Sequence, residues 1–277
     1  MNKIIVPIDF SEHSEYALQS AALLAKRYDA ELLALHMLDL ESDRLTDSSD
    51  EQNEKMIFFL GLAKKRFHSF LDKDYLEGIS VTPIVKHFRV FSEISNVAEE
   101  HKADLIVMGS HGASGLSEVF VGSNTEKVVR NSKTPVLVIK QKPSTLNFET
   151  VVFASDFNDE AVSAYQKVLQ LFQGFGSKVH LLNVNVPGQG FRSSAELEKR
   201  LANFLQKADG NLDKINDIHY VSDYSVEKGI HNFSNLVGAD LIAIPTHGRK
   251  GLAHLFSGSI SEDIANHSSL PVITFKI

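Results

Sequence analysis

Gly109-Ser-His-Gly112-Ala-Ser-Gly-Leu-Ser-Glu-Val-Phe-Val-Gly122-Ser123-Asn124 is the stretch whose reading decides the fold. The apolar run Leu105-Ile106-Val107-Met108 before it suits a buried strand, and Thr125-Glu126-Lys127-Val128-Val129 after it suits the first turns of a helix. A glycine-bearing loop that joins a strand to a helix N-terminus is a natural anion cradle. Glycine lets backbone N–H groups approach a phosphate, and the helix start adds orphan donors and a positive dipole end. Phosphate recognition, as part of a nucleotide, is the working expectation.

Working outward, strands and helices alternate. Lys3 to Ile8 is a short apolar run ending at Asp9, and Ser11 offers a cap to a helix carrying Tyr16, Ala17, Ala21, Leu24 and Ala25. Strands are expected at Glu31–Leu38, Val81–Val85, Asp104–Met108 and Thr134–Lys140, and helices at about Glu54–Leu71 and Ser92–His101. Asp39 to Asn53, polar and rich in Ser and Asp, is expected to be a loop. Such alternation means a parallel α/β sheet with right-handed crossovers, and ligands bind at the carboxyl ends of its strands. Asp9 and Gly109 stand at two such ends.

The second half repeats the first. Val151-Val152-Phe153-Ala154-Ser155-Asp156-Phe157 mirrors Ile4 to Phe10 at an offset of 147 residues, and the second strand recurs at Lys178–Val186. Gly112, Gly122 and Ser123 recur as Gly248, Gly258 and Ser259 at an offset of 136, so eleven residues are lost between the first and fourth strands of the second copy. The polar loop after the second strand is the expected place. Two domains, 1–142 and 147–277, follow, joined near Lys142-Pro143-Ser144-Thr145.

The composition narrows the partners. With a net charge of −7 there is no basic excess to hold a phosphodiester backbone, so nucleic acid is not expected. The absence of cysteine excludes disulfides, thiolate metal sites and a cysteine nucleophile. No segment approaches the ~20 apolar residues of a membrane span, and the chain opens directly into a strand; the expectation is a cytoplasmic protein without membrane partners. The 12 histidines show no metal-ligand spacing, so no protein-bound metal is expected.

Gly109-x-x-Gly112, nine residues, then Gly122-Ser123, with the early Pro7-Ile8-Asp9 and the end strand Thr134-Pro135-Val136-Leu137-Val138, resembles the universal stress protein A family. The resemblance covers nearly the whole chain twice. It implies two tandem Rossmann-like domains of the adenine nucleotide alpha hydrolase type, each a five-stranded parallel sheet with helices on both faces. In the nucleotide-binding branch it implies an ATP site, with magnesium carried by the phosphates. Asp9 would contact the adenosine, Pro7 and Met37 would border the base, and Met108 would belong to the same site. Gly109, Gly112 and Gly122 with Ser123 and Asn124 would surround ribose and phosphates. It also implies dimer-like packing through the fifth strand, which a tandem chain can achieve internally, and leaves a homodimer open.

Simpler readings stand beside these. Ser123-Asn124-Thr125-Glu126 and Ser259-Ile260-Ser261-Glu262 are capping-box patterns, and capping and phosphate contact can coexist. The glycines could serve turns alone, Asp9 could lead into its helix, Met37 could be core, and His111 and His247 could be loop histidines.

The two copies differ. The second loop reads Pro245-Thr246-His247-Gly248, and proline removes both a permissive backbone and a donor, whereas Arg249-Lys250 favours a polyphosphate. Geometry outweighs flexible surface cations, so nucleotide is expected mainly in the first domain. The second site would be Asp156, Val184, Gly248, Arg249, Gly258 and Ser259. Because Gly-x-x-x-x-Gly-Lys-Ser/Thr is absent, a regulatory ATP binder with at most slow hydrolysis is the first function considered. The alternatives are a nucleotide-dependent enzyme using Asp9, His111 or Glu118, and a scaffold acting through fifth strands left as free edges.

Overall fold

A computed structural model describes residues 1–38, 49–87, 92–110, 123–143, 148–188, 190–246, 264 and 268–277, with the side chains of 49–56, 87, 92 and 123 left aside. The first half runs β1 (Lys3–Pro7), α1 (Glu12–Tyr28), β2 (Glu31–Leu38), α2 (Ser49–Leu71), β3 (Val81–His87), α3 (Ser92–Glu100), β4 (Leu105–Gly109), α4 (Ser123–Asn131) and β5 (Val136–Ile139). The second runs β6 (Thr150–Ala154), α5 (Ala161–Phe172), β7 (Lys178–Asn185), α6 (Ser194–Ala208), β8 (Ile218–Ser222), α7 (Val226–Leu236), β9 (Leu241–Thr246) and β10 (Val272–Lys276). Their ten strands form one sheet in the order β3-β2-β1-β4-β5-β10-β9-β6-β7-β8.

Within each half every pairing is parallel, and the halves join by an antiparallel pairing of β5 with β10, Leu137 opposite Ile273. The fifth strands are therefore central rather than free edges, which removes the basis for a scaffold acting through them. Among the described strands the outer positions belong to β3 and β8. The continuous apolar runs of β1, β4 and β6 follow from cover on both faces.

One face carries a single apolar cluster that crosses the seam, from Ile4, Leu18 and Phe67 through Leu137 and Ile273 to Phe153, Tyr165 and Phe204. The opposite face holds two separate clusters, one with Ile5, Leu33, Ile94 and Val128, the other with Val152, Leu182, Ile230 and Phe233. At the seam Arg27 Nε donates to the Gly174 carbonyl at 2.9 Å, and its guanidinium lies 4.3 Å from the Phe175 ring centroid.

Register locates the deletion. Ala34 pairs with Pro83, and its counterpart Leu181 pairs with Ile218, so the offset falls from 147 to 135 between second and third strands. It returns to 136 at Leu105 and Leu241, which face Ile4 and Val151. The deletion thus lies where the polar loop was expected, and it also shortens a helix: α6 has 15 residues against 23 in α2. Helix α2 begins at Ser49, five residues before the expected start, because Ser and Asp are helix-start residues as much as loop residues. Residues 39–48 and 144–147 lie outside the described residues.

Candidate functional site

The carboxyl ends of β1, β2 and β4 bring Pro7, Asp9, Met37, Met108 and Gly109 to one end of the first half, with Asn124 in the first turn of α4. Met108 is buried in the core beneath this mouth, and Met37 is half-buried beside it. Gly112 and Gly122 lie outside the described residues, as do His111, Glu118 and the side chain of Ser123.

Asp9 folds the turn that leaves β1. Its Oδ1 accepts from the Ser11 N–H at 3.0 Å and from the Ser11 hydroxyl at 2.5 Å, an Asx turn, while Ser11 Oγ caps α1 by accepting from the Ser14 N–H at 3.2 Å. Phe10 between them has φ 63°, the left-handed region that a bulky residue seldom adopts. Its ring is held by Phe67 at 5.3 Å and Phe70 at 5.5 Å between centroids. The second half repeats the device, with Phe157 at φ 54° and Asn158 N–H donating to Asp156 Oδ1 at 3.2 Å. Strain kept at the same place twice marks the turn as over-determined by its surroundings. The paired phenylalanines at 10 and 157 are the signal that would have found it.

A second support lies under each aspartate. His36 Nδ1 donates to the Ile8 carbonyl at 2.7 Å, and Asn183, its counterpart, donates to the Ser155 carbonyl at 3.2 Å. Burial pushes the His36 imidazole below its ordinary value, against the pull of that carbonyl. A neutral ring with its proton on Nδ1 satisfies both.

Gly109 has a steric role. A Cβ there would meet the His13 carbonyl oxygen at 2.6 Å and its carbon at 2.8 Å, backbone that cannot swing away. The space beside this glycine is thus filled by the first turn of α1, and Gly109 sets how closely that helix packs. Thr125 Oγ1 donates to the Gly109 carbonyl at 2.9 Å, tying the start of α4 to the end of β4. The helix N-terminus therefore stands at the mouth, as an anion site requires.

The second half has the same scaffold and different chemistry. Arg200 of α6 donates to Asp156 Oδ2 at 3.0 Å, an ion pair with both side chains mostly buried. Counting from the equivalent rings Phe67 and Phe204, which pack on Phe10 and Phe157, the counterpart of Arg200 is the buried Ala63. Val184 packs under α7, where a Cβ on Gly229 would lie 2.5 Å from its Cγ1. Pro245 is buried in β9 opposite Phe275. Gly248, Arg249, Gly258 and Ser259 lie outside the described residues. Arg200 was not legible as a site residue, because its place depends on a helix packing across the sheet.

One titratable pair distinguishes the halves further. His180 Nδ1 and His219 Nε2 are 3.0 Å apart on β7 and β8, against the ring of Phe233, where the first half has Leu33, Ile84 and Val97. Burial pushes both imidazoles below the ordinary histidine value; Lys178 adds to this and Asp217 opposes it, while His219 further lowers His180. The unfolded chain then takes up protons that the native pair resists. The stabilisation is present above about pH 6.5, the unfolded value, and is lost as pH falls from there through the lower values of the folded pair. Installing the first half's residues, as His180→Leu with His219→Ile, is expected to shrink the fall in thermal midpoint between pH 7 and pH 5. Equal falls in the two proteins, followed by calorimetry, would refute this.

Among the described residues no group of three or more His, Asp or Glu side chains is placed to hold a metal ion, and no helix is long and apolar enough to cross a membrane. The universal stress protein family model matches residues 1–140 and again 147–276. A universal stress protein of Methanocaldococcus jannaschii is 32% identical over 156 residues, 51% of this chain and 96% of that protein. One from Synechocystis is 22% identical along the full length of both chains. In structure, a universal stress protein of Archaeoglobus fulgidus superposes with a TM-score of 0.69 at 24% identity, over 99% of this chain and 98% of that one. That likeness supports the Rossmann-like fold of the two halves. Matched twice over nearly all its length, the chain belongs to the universal stress protein family.

Proposed function

We propose that the protein binds ATP, with magnesium held through the phosphates, mainly in the first half, and acts as a cytoplasmic stress-response regulator with at most slow hydrolysis. The observation that carries this is the convergence, at the carboxyl end of the sheet, of Asp9 in its Asx turn with the start of α4, which Thr125 ties to the Gly109 carbonyl. In the second half Pro245 stands where Gly109 does and Arg200 engages Asp156, and a carboxylate that holds a guanidinium is a weaker acceptor for a ribose hydroxyl or an exocyclic amine. Pro7 and Met37 would border the base, and the start of α4 with Asn124 would face the phosphates. The close packing of Gly109 on α1 leaves any phosphate cradle to the loop beyond it.

Equilibrium titration with magnesium-ATP tests the assignment. Asp9→Ala is expected to weaken binding by at least about tenfold, the scale of losing one good hydrogen bond to a charged acceptor. Asp156→Ala should leave the affinity within about twofold. The reverse ranking would move the site to the second half, and no binding by the unaltered protein would end the nucleotide reading.

A further inference from the structure

A groove of about 760 Å³ lies between helix α2 and the outer strand β3 of the first half. Its walls are apolar, with Leu60, Phe67 and Leu71 from the helix and Pro83 and Val85 from the strand. Lys64 and His68 line it as well, one turn apart on the helix, and Asp72 stands just past the helix end. Sites for small organic ligands run from roughly 300 to 1,000 Å³, so the space suits one. The second half provides a control. Aligned on the paired rings Phe67 and Phe204, Lys64 corresponds to Leu201 and His68 to Leu205, which are 1% and 0% exposed in the core of that half. Strand register aligns Pro83 with Ile218 and Val85 with Tyr220, each a larger side chain. What the second half fills with apolar and aromatic bulk, the first half leaves open and lines with an ammonium and an imidazole.

We propose that this groove binds a small amphipathic monocarboxylate, its head held by Lys64 and His68 and its apolar chain laid along Phe67, Leu71 and Val85. The lysine supplies a charge and the imidazole a ring N–H, and a carboxylate accepts from both at once in charge-assisted hydrogen bonds. The apolar walls gain by covering a hydrocarbon body, which a bare inorganic anion lacks. Asp72 repels a second anionic group, so the class is a monoanion. An extended peptide is the other shape that fits beside an edge strand, and the backbone of β3 argues against it. Leu32 donates to the Ser80 carbonyl and lies opposite Val81, so Ser80 and Thr82 turn their backbone toward β2 while Val81 and Pro83 turn theirs outward. Pro83 therefore stands without an N–H in the middle of the free edge, where an added strand would need a donor. The site lies on α2 and β3 and does not draw on the nucleotide reading.

Isothermal titration of the full chain with decanoate tests this. Half-saturation is expected below about 1 mM, the modest affinity of a ligand of this size. Decylamine, with the same chain and the opposite charge, should bind at least about tenfold more weakly. Lys64→Glu is expected to weaken decanoate at least about tenfold, and because Lys64 is exposed the thermal midpoint should hold. Lys64→Leu with His68→Leu, which installs the residues of the second half, should abolish uptake without lowering the midpoint. A chain that takes up no decanoate overturns the proposal and leaves Lys64 and His68 to water. So does uptake undiminished in both variants, which would place the ligand elsewhere, or equal binding of decylamine, which would remove the anionic head.

Discussion

Gly109→Val should lower the thermal midpoint by roughly 6–12 °C and abolish tight nucleotide binding together with it. The first added carbon already lies 2.6 Å from the His13 carbonyl oxygen, and a branched side chain extends the overlap along the first turn of α1. Overpacking against side chains costs about 1–3 kcal/mol, and here the obstacle is helix backbone, which places the cost at about 3 kcal/mol or more. For a chain of this size each kcal/mol moves the midpoint by roughly 2–4 °C. Relief requires α1 to draw back from β4, which shifts Ser11 and the Asx turn of Asp9 with it. Binding therefore fails through the displaced aspartate as well as through lost stability. Gly109→Ala, with one carbon to accommodate, should show the same two effects at a smaller size. Calorimetry and magnesium-ATP titration on both variants check this. Unchanged stability with lost binding would instead return Gly109 to a purely phosphate-facing role.

The same residue shows what a sequence can carry. Gly109 stood out as a backbone that must approach something closely, and it does approach closely: its neighbour is the carbonyl of His13 in the first turn of α1. Periodicity revealed the alternation of strands and helices because buried parallel strands are continuous apolar runs and their crossovers are amphipathic. The repeat revealed two copies and the shortened connection after the second strand. Arg200 on Asp156 and the histidine pair on β7 and β8 are contacts between elements distant in sequence, set by the register of two strands or the seat of a helix, and no local pattern announces them. The start of α2 reads as loop in the sequence because Ser and Asp serve both states.

Leu137→Asp is expected to unfold both halves at once. Leu137 is buried at the seam, opposite Ile273 across the antiparallel pair, within the one apolar cluster that runs through the two halves. Removing the leucine side chain costs about 2–5 kcal/mol, and a carboxylate in its place adds several more unless it stays protonated. Together these approach the whole stability of an ordinary domain, about 5–15 kcal/mol. The damage should not stop at the first half, because Ile273 on β10 would lose its cover and expose an apolar strand to water. Far-UV circular dichroism and limited proteolysis follow the outcome; the expected result is loss of structure across the chain, partly relieved at low pH as the new carboxyl is neutralised. Leu137→Met, which conserves volume and polarity, should cost less than about 1.5 kcal/mol and keep a single cooperative transition. A protease-resistant second half surviving in Leu137→Asp would show that the seam joins two independent bodies. A wholly degraded chain would show that the continuous core, more than the linker, makes the tandem repeat one folding unit.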